Sequence, residues 1–364
     1  MTTSTSPGND IALGLIAQDL MFLRRVMQGA VEAGDRAIVP LMCMYNYSCL
    51  MVHESHRALR AIETDLAQTL VYDCADVIER ARHSVKLFDD TQKKLPAIGA
   101  DFGRIIEAHR AEFLGNTWLP LARPLETDLA LWRYQGRVIS TSHVMNFFMS
   151  FSPSQIHDPP SLGRELRTVA SEISRYTAAA TGELDWTGTS FMEVISKSPT
   201  AKDVRAKKTY QKSFDPAIPE EIKAALTAFT CALNVVDVLL AEETNGQSDA
   251  TVVKLRYVTL HHTLSSLTKL ANTYGSQLRP STRQTLEAIL TAPMSLKIIQ
   301  ANPQFRNTLV HYRPDGRVRD QLSLDAPLFG LVSAYFGEDF TSFTAGLAQH
   351  VRCVAQQMEG WSNW

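Results

Sequence analysis

The sequence predicts an all-α protein with two helical regions, the C-terminal one a four-helix bundle. Three observations support that. Apolar residues recur three and four positions apart through most of the chain. Few runs alternate apolar and polar residues. No Asn-Gly turn joins two β-like runs, because Asn245-Gly246 follows a helical segment. At 364 residues, 45% of them hydrophobic and 20% charged, the chain can bury a substantial core.

The elements follow in order. After a polar tail over 1–8, the stretch "IALGLIAQDLMFLRRVMQGAV" carries the stripe Leu13, Ile16, Leu20, Leu23, Met27. Asn9 or Asp10 can cap that helix. Similar patterns predict helix over about 36–95, 99–117, 122–150 and 161–178. Breaks fall at 152–163 and, more strongly, at 197–221. The second break holds three prolines and six Lys/Arg residues, and ends in Pro219, Glu220 and Glu221, which suit a first helical turn. This sets an N-terminal helical region over 9–196, a basic linker over 197–218 and a helical bundle over 219–360. The bundle helices are expected at 219–243, 250–274, 281–311 (interrupted near Pro293 or Pro303) and 325–357.

Composition narrows the function. A formal net charge of -2 gives no global field for nucleic acid or an acidic membrane, so any polyanion site must be local. Five cysteines without a CxxC pair fit a reducing cytosol. The start "MTTSTSPGND" lacks the parts of a signal peptide. The most apolar run, Ile38 to Val52, falls short of the roughly 20 residues that span a bilayer. The expectation is a cytoplasmic protein with no membrane partner.

Several fragments suggest chemistry and then fail. In "HESH", His53 and His56 are three apart, not the four of a helical zinc pair. "FDDTQK", 88–93, opens like an aspartate-rich diphosphate motif, but Lys93 stands where the next acid belongs. Phosphate-loop, dinucleotide and nucleophile-elbow patterns are missing from the sequence, and His261 and His262 project about 100° apart on a helix. No metal or cofactor is expected. The strip 197–212 sets Lys207 and Lys208 among six cations, with Asp203 its one acid. It reads either as a solvated linker or as a phosphate-tracking surface.

The stretch "NPQFRNTLVHYRPDGR", 302–317, carries the stronger signal. An arginine five positions before a histidine is common in a chain with 24 arginines and 10 histidines: Arg104/His109 and Arg256/His261 fit it too. Only Arg306 is followed by asparagine, in the single Arg-Asn of the sequence. Arginine supplies a fixed cation whose fork matches phosphate oxygens, and histidine can move a proton near neutral pH. "FRNTLVHY" late in a helical region resembles the signature of the HEPN superfamily (higher eukaryotes and prokaryotes nucleotide-binding domains), over about 215–360. Residues 1–196 match no such pattern.

The resemblance implies a metal-independent endoribonuclease, a toxin or anti-phage abortive-infection effector, working as a homodimer on RNA, with an antitoxin or regulatory protein as a further partner. It assigns His311 as general base or acid and Arg306 to the scissile phosphate. Asn307 would orient His311 or bind phosphate. Tyr312, Arg313, Arg317, Tyr257, Lys207 and Lys208 are candidate substrate-binding residues. The alternative is a non-catalytic helical binding or scaffold protein. On a straight helix Arg306 and His311 would point about 140° apart. They can therefore meet only where the helix ends or distorts, which Pro314 favours, or across a dimer axis.

Overall fold

The computed structural model describes residues 7–85, 95–156, 159–185, 187–195, 197–300 and 303–363. The aspartate-rich stretch 88–93 and Asn302 lie outside them. Helix dominates, as the apolar spacing predicts. Helices α1 (Pro7–Ala33), α2 (Ile38–Ile62), α3 (Thr64–Val85) and α4 (Leu95–Phe113) precede strands β1 (Leu129–Tyr134) and β2 (Arg137–Thr141). Then come α5 (Ser142–Met149), α6 (Pro153–Ile156), α7 (Pro159–Thr181), α8 (Phe191–Val194), strand β3 (Thr200–Val204) and α9 (Ala206–Lys212). The C-terminal part holds α10 (Glu220–Asn234), α11 (Asp249–Tyr274), α12 (Pro280–Leu290), α13 (Pro293–Gln300), α14 (Gln304–His311), α15 (Leu331–Phe336) and α16 (Phe340–Ser362). Where one interruption was expected, near Pro293 or Pro303, there are two, and they separate α12, α13 and α14.

Three expectations change. Helix α1 begins at Pro7, so Asn9 and Asp10 lie inside its first turns instead of capping it. The helix expected over 122–150 is a hairpin followed by the short α5. Val138, Ile139 and Thr141 are β-branched, and Gln135 and Gly136 both take positive φ (49° and 81°), as a tight two-residue hairpin turn requires. Glutamine in the place usual for asparagine hid that turn. The linker over 197–218 is folded: β3 pairs antiparallel with β1, in sheet order β2-β1-β3. Asp128 Oδ1 accepts the Ala206 N–H at 2.7 Å, starting α9 beside the sheet.

One continuous apolar cluster draws on both expected regions. Leu20, Phe22, Met44 and Val52 lie in it with Leu255, Leu264, Leu347 and Val351. A smaller cluster packs Phe102 and Val144 against Leu131 and Ala225. Residues Glu220–Glu242 run on from α10 through a π turn, and they are long and apolar enough to cross a membrane. Yet 78% of the most apolar window is buried inside the protein, as in a core helix.

A polar clamp sits where α1, α11 and the end of α14 meet. Lys254 forms a buried ion pair with Asp19. Asp19 also accepts the Thr251 hydroxyl at 2.8 Å and the Tyr312 hydroxyl at 2.7 Å. The Lys254 ammonium donates to the Tyr312 oxygen at 3.1 Å and lies 4.3 Å above its ring. Burial, together with the Asp19 charge, pushes the Tyr312 phenol well above its usual range, so it stays a donor.

Removing one member of a buried pair strands the other charge. Asp19→Ala should cost about 3–5 kcal/mol in urea unfolding. Tyr312→Phe, which deletes one hydroxyl, should cost about 1–3 kcal/mol. Acid should weaken the smaller cluster as well. Desolvation lowers His109 to about 4 and also holds His143 well below the usual histidine value. Unfolded histidine binds a proton near pH 6.5, so stability is complete above that value and falls as pH drops toward 4. Urea midpoints at pH 7.5 and 5 should differ accordingly, and His109→Gln should reduce the difference.

Candidate functional site

Helix α14 is short because its two ends are set from outside. Pro303 caps its start, and at its end Tyr312 adopts the left-handed conformation, φ 54°. A non-glycine residue takes that shape at a cost, which the hydrogen bonds of the Tyr312 hydroxyl offset. Phe305 seats the helix in the core, its ring 4.7 Å from Tyr257 and 4.8 Å from Phe336. The Thr308 hydroxyl lies 3.0 Å from the Tyr335 hydroxyl, and that hydroxyl accepts the Asp315 N–H at 3.3 Å. These contacts hold the chain as it leaves the helix, with α14 packed against α2 and α11.

Arg306 and His311 meet at this helix end, within one chain. Arg306 Nη1 lies 3.2 Å from His311 Nε2 and 3.4 Å from Asn307 Oδ1. The distance is spanned by a long arginine side chain reaching a histidine in the last helical position. Asn307, four residues before His311, shares its face. Arg306 is 7% exposed and the His311 side chain 23%.

The sequence reading missed the third member. His311 Nδ1 lies 2.7 Å from Oε2 of Glu54, a buried residue of α2. A guanidinium can only donate, so His311 Nε2 accepts from Arg306 and Nδ1–H donates to Glu54. One tautomer satisfies both bonds. Burial works to raise the Glu54 carboxyl. The hydrogen bond from His311 and the positive surroundings that include Arg57 outweigh it, holding that carboxyl below its usual value and ionised. His53 Nε2 and Arg57 Nη1 each stand 3.8 Å from it. Glu54 belongs to the "HESH" stretch, whose glutamate rather than its histidines faces the motif. No local pattern could have linked positions so far apart in the chain.

Arg306 also acts on α11. Desolvation and then the Arg306 charge lower His261 to about 4 and hold His262 well below the usual histidine value. Both imidazoles are thus neutral acceptors or donors at physiological pH. Their rings stand nearly perpendicular, 88° apart, with centroids 5.8 Å apart. Among the described residues no group of His, Cys, Asp and Glu is arranged to hold a metal ion.

The other candidates scatter. Arg313 is exposed and lines a recess with Arg319, Tyr312 and Gly8, just beyond α14. Arg317 is exposed and folds back on Asp315, its Nη2 2.6 Å from Oδ2. Tyr312 and Tyr257 are buried, one in the Asp19 clamp and the other against Phe305. Neither reaches the surface beside His311. Lys207 and Lys208 are exposed on α9, which packs on α10.

The bonding of His311 fixes a spectroscopic signature. In neutral solution its Nδ1 should give a protonated, pyrrole-type 15N shift and its Nε2 an unprotonated one. Glu54→Ala should remove that preference, since Nδ1–H loses its acceptor. An Nε2–H tautomer in the unaltered protein would contradict the geometry.

Comparison with protein-family models, curated protein sequences and solved structures finds no match to this chain.

Proposed function

We propose that the protein is a metal-independent endoribonuclease of HEPN type, with Arg306, His311 and Asn307 at its centre. The observation that supports this reading is the Arg306–His311–Glu54 relay, in which an imidazole stands between a fixed cation and a buried carboxylate.

The chemistry is a transesterification. His311 Nε2 takes the proton of a ribose 2′-hydroxyl, whose oxygen attacks the adjacent phosphorus while the bond to the 5′-oxygen breaks. The products are a 2′,3′-cyclic phosphate and a 5′-hydroxyl, the leaving oxygen gaining the proton from the imidazolium or from water. Glu54 balances the charge on the imidazolium, as a carboxylate behind a catalytic histidine does. Arg306 turns from Nε2 to the phosphate, where its positive charge meets the negative charge of the transition state. Asn307 keeps the two in register. DNA lacks the attacking hydroxyl and is inert by this route.

A cellular role as a toxin or abortive-infection effector, a homodimeric state and control by an antitoxin or the N-terminal helices complete the proposal. A binding or scaffold role is the second reading. It draws on the burial of Arg306, which leaves only the edge of the motif open to solvent.

The two readings separate in one assay. Purified protein with total RNA in excess EDTA should yield fragments ending in 2′,3′-cyclic phosphate. His311→Ala should lower the rate by about 10²–10⁴-fold while circular dichroism shows the protein still folded. Cleavage that survives His311→Ala removes the catalytic assignment. RNA left intact by the wild-type protein favours the scaffold.

A further inference from the structure

We propose that the loop Trp118–Leu125, with the basic residues beside it, docks the protein onto an anionic lipid bilayer. Large apolar side chains rarely cluster on a surface without a partner. Here Trp118 is 88% exposed, Leu121 90% and Leu125 80%, and Leu119 is exposed as well, all within eight residues. They belong to neither apolar cluster.

The loop is held outward rather than left slack. Glu126 accepts the backbone N–H groups of Gly115 at 2.7 Å and Thr117 at 2.9 Å, closing its base. Pro120 and Pro124 stiffen the 3₁₀ turn Pro120–Leu125. Such a loop presents its apolar tip with little conformational entropy left to lose on binding.

A cationic segment is tied to that loop. Arg205 Nη1 donates to the Arg123 carbonyl at 3.2 Å, tying the start of α9 to the loop. Strand β3 runs beside β1, with Val204 opposite Leu129. Lys202, Lys207 and Lys208 are exposed on β3 and the first turn of α9, and Arg123 is exposed within the loop. Asp203 is the exposed acid among them, and the Glu126 carboxylate is committed to the loop backbone. The basic strip that does not reach Arg306 therefore has another neighbour.

An apolar tip inside a basic rim matches the bilayer interface. Tryptophan and leucine enter the headgroup and acyl boundary, while Lys and Arg meet lipid phosphates. With a net charge of -2, attraction to an anionic surface must come from such a local patch. Single-stranded RNA fits less well, because the loop offers one ring, Trp118, beside three leucines on which bases do not stack.

Sedimentation with vesicles tests this. The full chain should bind phosphatidylcholine vesicles containing about one-third phosphatidylserine, and bind pure phosphatidylcholine roughly tenfold less. Leu121→Ser with Leu125→Ser, and separately Lys207→Glu with Lys208→Glu, should each lower binding by about tenfold or more without changing the melting temperature. Quenching of tryptophan fluorescence by brominated lipid should be lost in Trp118→Phe. Failure to sediment with the anionic vesicles overturns the proposal, as does binding unchanged in both double variants. If those variants instead impair RNA binding or self-association while vesicles are ignored, the surface belongs to RNA or to a second copy of the chain.

Discussion

A buried ion pair, Asp19 with Lys254, sets the position of the candidate site. Two charges taken out of water are tolerable only when their remaining hydrogen-bonding capacity is filled, and Thr251 and Tyr312 fill it. Recruiting Tyr312 has a backbone consequence. To bring its hydroxyl to Asp19, the residue turns into the left-handed region, and α14 stops at His311. The tyrosine nominated as a substrate contact is instead the anchor that ends the helix carrying the motif.

The same stop exposes the edge of His311 and brings Arg306 onto it. Around this contact the charges are ordered. Glu54, ionised behind the imidazole, and Arg306, in front of it, enclose one titratable group between opposite charges. Poorly solvated surroundings strengthen both interactions. They also let the Arg306 charge act on His261 and His262, which it helps keep neutral. His311 has a carboxylate partner in Glu54, which suits it to proton transfer. The intramolecular contact makes the first of the two expected geometries, a helix end, sufficient for convergence.

Legibility followed the range of the interactions. Helices α7 and α11 appeared from periodicity because an amphipathic stripe is a local property. A break near Pro293 or Pro303 was readable because proline acts on its own backbone; that both positions break the helix was not. The hairpin over 129–141 escaped because its turn uses Gln135-Gly136, and because the half-buried β1 also tolerates a helical reading. Segment 197–218 looked like a linker on composition alone. Its pairing with β1 rests on residues about 70 positions upstream, and nothing in its lysines announces them.

By itself, the sequence determined a mostly helical chain with an Arg-Asn-x3-His motif on a helix that ends near Pro314. Side-chain type and short spacing suffice for that. The tertiary structure alone decided that Glu54 stands behind His311 and that Tyr312 is a buried anchor. It also decided that the start of α9 is tied through Arg205 to the loop that carries Trp118 and Leu121. Each of these depends on which distant elements pack together, and that is settled by the burial of a shared core.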